Sequence, residues 1–189
     1  MGPCMIRSRT AQLVLQSAYM ALGLLAVVST FGIFEATFRL DAYVLFTNQC
    51  NFLCLGIMIA ELVQTAKKSE GSFISVSPLL KFVGLVGIVL TAAVFYAMLA
   101  GTRDPASNFR VGTVLMHLVL PLMYFADWAL FYEKGKVGFA WPLVSAVLPS
   151  AYVAFIYLHA AIHGFDTSIQ NFNQNGLSST PTSSLTSRS

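Results

Sequence analysis

The run Tyr43–Gln64, YVLFTNQCNFLCLGIMIAELVQ, decides how this chain reads. It is apolar enough to enter a bilayer, yet it carries Thr47, Asn48, Asn51 and Glu61. Helical steps of four, three, four and three residues from Thr47 land on Asn51, Cys54, Met58 and Glu61. One face of the helix therefore collects most of the polarity. In hydrocarbon such a face must turn toward protein or water. The remainder of the chain is expected to form the wall around it.

Composition supports this reading. The 189 residues are 56% hydrophobic and only 10% charged, against about 25% charged in a typical soluble domain. The pattern predicts an all-α, polytopic transmembrane helical bundle of five spans within one domain, residues 1–165. A polar Ser/Thr-rich tail, residues 166–189, follows and is expected to be disordered. The net charge of +3 comes from basic residues in small groups beside apolar runs. That is the pattern of topology signals and not of a nucleic-acid surface, so no nucleic acid partner is expected. Cys50 and Cys54, four apart on one apolar run, read as packing residues.

Leu13–Phe34 is nearly uncharged and long enough to cross a core of ~30 Å, so it reads as an uncleaved first span. The second span is the opening stretch. The third runs from about Pro78 to Gly101, with Lys81 in its first turn, where a long side chain can snorkel, and with Gly84 and Gly87 allowing close helix contact. The fourth, Val111–Tyr132, contains His117, Pro121 and Asp127. The fifth runs from about Phe139 to His163, and Pro149 inside it should kink it.

Basic residues orient the bundle. With the N-terminus inside, Arg7, Arg9, Lys67, Lys68, Lys81, Lys134 and Lys136 fall inside, and only Arg39, Arg103 and Arg110 fall in the outer loops. The protein reads as a multi-pass integral protein of a cell membrane or endomembrane. Thr47, Asn48, Asn51, His117, His159 and His163 then all fall in the outer half. Glu61 and Asp127 fall toward the inner ends, where salt bridges with nearby lysines would fix helix packing, the alternative being a proton or ion path. Trp128, Phe131, Tyr132, Phe139 and Trp141 read as an interfacial aromatic belt.

A threonine at the depth of a histidine has a chemical meaning. An imidazole can take the hydroxyl proton as the oxygen attacks an acyl carbon. Asn48 or Asn51 could donate to the developing oxyanion, an interaction worth about 3–4 kcal/mol in known cases. The same residues also suit a plain structural role, since membrane Thr bonds its own backbone and Asn or His links helices. His117, His159 and His163 could form a three-histidine zinc site, though no HExxH pattern accompanies them. No Gly-rich phosphate loop, GxSxG elbow or Cys–His zinc signature occurs, and neither cofactor nor metal is expected.

Phe46-Thr47-Asn48, followed by His117, Pro121 and Asp127-Trp128, resembles the androgen-induced integral membrane proteins and their bacterial relatives. The basic turn after the fourth span and the stretch Pro149–Tyr152 are similar to the bacterial members, and the likeness covers roughly residues 10–165. In the animal branch, members are intramembrane threonine hydrolases of fatty acid esters of hydroxy fatty acids. The resemblance implies catalytic roles for Thr47 and His117 and a lipid ester as substrate among membrane lipids; Asn48, Asn51 and His159, at the same outer level, read as oxyanion or substrate-contacting residues. The family usually has six spans, whereas here the Ser/Thr tail stands where the sixth would be. The alternative reading is a non-enzymatic membrane protein. It would bind a lipid or small ligand, or assemble with a partner or second copy that supplies a helix.

Overall fold

The computed structural model describes residues 8–33, 40–67, 77–132 and 137–163. The expected tail, the loop residues Arg7, Arg39, Lys68, Lys134 and Lys136, and the His163 side chain lie outside the described residues. Among the described residues every regular element is helical: α1 (Arg9–Thr30), α2 (Phe46–Lys67), α3 (Pro78–Leu99), a single turn α4 (Pro105–Asn108), α5 (Val111–Phe131), α6 (Trp141–Ser145) and α7 (Val147–His163). Five segments are long and apolar enough to span a membrane: α1, α2, α3, α5 and the α6–α7 pair, Trp141–Ile162.

Local chemistry sets the helix ends. Ser8 caps α1 by accepting from the Ala11 N–H, and Ser77 caps α3 by accepting from Leu80 N–H, with Pro78 in the first turn. Gly32, at φ +70°, turns the chain out of α1. A 3₁₀ turn, Leu40–Val44, leads into α2 and is tied to it by the Asn48 amide, which donates to the Ala42 carbonyl at 2.5 Å. At the far end of α2, Arg9 reaches across from α1 and donates to the carbonyls of Thr65 (3.1 Å) and Ala66 (2.8 Å). A cation on the final carbonyls of a helix suits both its orphan acceptors and its dipole.

α2 is the central element. In its most apolar window 44% of residues are buried, against 11% in the α6–α7 segment, so the former is the axis of the bundle and the latter a peripheral layer. Asn51, Cys54, Met58 and Glu61 are all buried, as the helical stepping requires, and Thr47 at the end of that row is half-buried. The core gathers Tyr19 and Ala26 of α1, Leu55 and Ile57 of α2, Leu85 and Ile88 of α3, and Met116, Leu120 and Tyr124 of α5. Gly84 and Gly87 permit the closest approaches of α3. A Cβ at Gly84 would lie 2.7 Å from the Tyr124 hydroxyl, and one at Gly87 would lie 2.6 Å from Leu148. Cys50 and Cys54 are buried free thiols.

Two sequence expectations change. Lys81 does not snorkel; it is 1% exposed and its ammonium is held by two carboxylates. The belt is only partial, because Phe131 and Tyr132 are buried in the bundle while Phe139 is fully exposed. Near Pro149, the helix breaks at Ala146, between α6 and α7, which puts the proline in the first turn of α7, where its missing N–H costs little.

Candidate functional site

The chain enters α2 at the same end of the bundle where α1 finishes and α5 begins. Thr30 of α1 donates to the Met116 sulfur of α5 at 3.3 Å, which fixes that level. Asn51 Nδ2 donates to the Thr47 carbonyl at 2.8 Å and to the Met116 carbonyl at 3.4 Å. One buried amide thus joins the peptide of Thr47 to the peptide that precedes His117. Hydrocarbon surroundings favour this bridge, because a main-chain carbonyl has no water to turn to there.

α5 is distorted where His117 sits. Leu115–Val119 forms a π-helical turn in which the Leu120 N–H reaches back to the Leu115 carbonyl. Pro121 accounts for this: it has no N–H for the His117 carbonyl, and its ring crowds that oxygen. A second π-helical turn, Phe95–Leu99, closes α3 through the Ala100 N–H and the Phe95 carbonyl at 2.8 Å. The two distorted segments meet. Phe95 and His117 stack with ring centroids 3.9 Å apart and planes at 26°, and the Arg103 guanidinium lies 5.9 Å from the Phe95 centroid. Phe95 was not anticipated from the sequence, where nothing distinguishes it among fifteen phenylalanines.

His117 Nδ1 lies 3.0 Å from the Thr113 carbonyl. A carbonyl only accepts, so Nδ1 carries the hydrogen and Nε2 of the neutral ring is left as the basic nitrogen. Thr47 Oγ1 and His117 Nε2 share no hydrogen bond, and neither side chain bonds another side chain among the described residues.

The asparagines differ. Asn51 spends its amide hydrogens on two carbonyls and leaves Oδ1 buried without a partner. Asn48 spends one on Ala42 and keeps a second N–H in hand. His159 of α7 stands at the same end of the bundle, 3.4 Å from the Tyr43 hydroxyl and tilted against the Phe155 ring. Among the described residues no group of three or more His, Cys, Asp and Glu is arranged to hold a metal ion.

Glu61 and Asp127 lie at the opposite end, and the structure joins them. Lys81 Nζ donates to Glu61 Oε2 and to Asp127 Oδ2, each at 2.6 Å, and to Met58 Sδ at 3.0 Å. It also sits 4.2 Å from the Tyr124 ring centroid, and the Tyr124 hydroxyl donates to the Lys81 carbonyl at 3.3 Å. Inner salt bridges were anticipated from the sequence; their burial and their common lysine were not. The chain matches no protein family, no curated protein and no solved structure.

Proposed function

We propose that the protein is a multi-pass membrane hydrolase of lipid esters, acting through Thr47 and His117. The observation that supports this most is the tethered imidazole. His117 is held at Nδ1 by the Thr113 carbonyl, with Nε2 left basic, on a π-helical turn joined through Asn51 to the Thr47 peptide. π-helical turns of this kind frequently mark functional positions.

In the proposed reaction Thr47 Oγ1 attacks the acyl carbon of the ester while His117 Nε2 takes the hydroxyl proton. The electron pair of the carbonyl moves to its oxygen, and the free N–H of Asn48 donates to that oxyanion. Collapse expels the alcohol, which leaves with the proton from His117. Water, deprotonated by the same imidazole, then attacks the acyl-threonine and releases the fatty acid, restoring the hydroxyl. Asn51 positions the two strands of main chain, and His159 with Tyr43 contacts substrate at the mouth. The substrate class and the cell or endomembrane setting come from the resemblance to the androgen-induced integral membrane proteins.

The test is turnover of fatty acid esters by the purified full chain, beside Thr47→Ala and His117→Ala. Loss of turnover in both folded variants supports the pair; equal turnover in wild type and Thr47→Ala refutes it.

A second reading, ligand binding or assembly without chemistry, is favoured by the missing Thr47–His117 hydrogen bond and by the little-buried α6–α7 segment. It predicts retained lipid binding with no turnover in wild type, the outcome that separates it from the first. A helix supplied by a partner or second copy would add cross-links on α6–α7.

A further inference from the structure

α1 buries Gln16, Tyr19, Gly23 and Ala26 along one helical seam. Gln16 is 0% exposed, yet neither its Nε2 nor its Oε1 has a hydrogen-bond partner. The Tyr19 hydroxyl, on the same seam, and Asp127 Oδ1 of α5 are buried in the same condition. Orphaned donors and acceptors inside hydrocarbon are costly, and a fold keeps them where something satisfies them.

Helix register brings these atoms to one level. α1 and α5 run antiparallel: Thr30 meets Met116 near one end, and further along Tyr19 packs on Tyr124 with ring centroids 5.9 Å apart. Gln16, one turn before Tyr19, therefore stands level with Asp127, one turn after Tyr124. The other neighbour of α1 gives the same level. Arg9 bonds Ala66 of α2 and Gly23 meets Leu55, which puts Gln16 level with Glu61. Lys81 Nζ closes the group. It lies 4.2 Å from the Tyr124 ring centroid, 2.6 Å from Asp127 Oδ2 and 3.0 Å from Met58 Sδ.

The orphaned atoms are level with one another but make no direct hydrogen bond, the spacing that a bridging water spans. They include donors, the Gln16 amide and the Tyr19 hydroxyl, and acceptors, Gln16 Oε1 and Asp127 Oδ1. A bare cation would use only the acceptors, whereas water uses both.

We propose that Gln16, Tyr19 and Asp127 Oδ1 form a water-binding site buried within the bundle, through which α1 is joined to the Lys81 ion pairs of α2, α3 and α5. The water gives the second oxygen of Asp127 its hydrogen bond and satisfies both ends of the Gln16 amide. This site lies at the opposite end of the bundle from Thr47 and His117 and stands whether or not that pair hydrolyses esters.

The experiment is X-ray radiolytic footprinting of the full chain in nanodiscs, read by mass spectrometry, in wild type, Gln16→Leu and Tyr19→Phe. Radiolysis turns a bound water into hydroxyl radical in place, so a buried side chain is oxidised only where water sits beside it. Tyr19 and Met58 are both 0% exposed, and Met116, 3% exposed at the other end of the bundle, is the dry control. In wild type Met58 should be oxidised several-fold faster than Met116, and Tyr19 should be labelled as well. Gln16→Leu should bring the Met58 rate down toward that of Met116, and Tyr19→Phe should lower it too. The thermal unfolding temperature of Gln16→Leu should not exceed that of wild type, because the amide it removes was already satisfied.

Wild-type Met58 as slow as Met116, with Tyr19 unlabelled, overturns the proposal. So does a Met58 rate unchanged in both folded variants. A rise of several degrees in the unfolding temperature of Gln16→Leu would mean that the amide sits unpaired in a dry core, and equally overturns it. If Gln16→Leu fails to fold, the wild-type rates and Tyr19→Phe decide.

Discussion

At the Arg9 end of the bundle, Glu61 and Asp127 meet Lys81 from two other helices and share its ammonium. At the opposite end, Asn51, Asn48 and His117 spend their hydrogen bonds on main-chain carbonyls, and the Thr47 hydroxyl stays uncommitted. The two arrangements serve different ends. Side chains that bond each other across helices lock packing. Side chains tethered only to backbone are held in place while a hydroxyl and an imidazole nitrogen stay available.

Substitutions can break this contrast. Lys81→Met takes the shared ammonium away from two buried carboxylates and is expected to cost about 3–5 kcal/mol of stability, read as a fall in thermal unfolding temperature in detergent. Adding Asp127→Asn to Lys81→Met should recover part of that loss, because one charge fewer is stranded. At the other end the effect should fall on activity. His117→Gln is expected to lower ester turnover about 10²–10⁴-fold while changing stability by less than about 1 kcal/mol. A stability loss as large as that of Lys81→Met would make His117 a packing residue and dissolve the contrast.

Asn51→Ala sits between the two classes. It removes the bridge between the Thr47 and Met116 carbonyls and should cost about 1–3 kcal/mol, with turnover falling as well. Gly84→Ala tests the packing that supports both ends. Its Cβ would meet the Tyr124 hydroxyl at 2.7 Å and Ile57 at 3.2 Å, and the expected loss is about 1–3 kcal/mol. Arg9→Ala should have the smallest effect, about 0.3–1 kcal/mol, since it removes a half-exposed cap on the last carbonyls of α2. All three are read by thermal or denaturant unfolding of the purified protein.

Much of this architecture was legible in the chain. Apolar runs located all five spanning segments, and the polar row from Asn51 to Glu61 named the buried face of α2, because periodicity reports which side of a helix meets protein. Ends shifted by a few residues where capping outweighed hydropathy, as at Ser8 and at the 3₁₀ turn before Phe46. Lys81 was misjudged because its position in a first turn suits snorkelling equally well, and only the packing of α3 beside Glu61 of α2 and Asp127 of α5 shows its ammonium turned inward.

The polar site was less legible. Pro121, four residues after His117, did carry a signal for the π-helical turn, since its ring disturbs the carbonyl at that spacing. Phe95 carried none, because its stacking on His117 depends on how two distant segments meet. Gln16 and Tyr19 of α1 were silent for the same reason: their depth is readable, but not that the Gln16 amide and the Tyr19 hydroxyl are buried without a hydrogen-bond partner.

The measurement that bears most directly on the central claim is covalent trapping with a lipophilic fluorophosphonate, followed by peptide mass mapping. An activated threonine predicts one adduct on Thr47 in wild type, lost in Thr47→Ala and in His117→Ala, and retained in Glu61→Gln. An adduct on any other residue, or labelling that persists unchanged in folded Thr47→Ala, would contradict it.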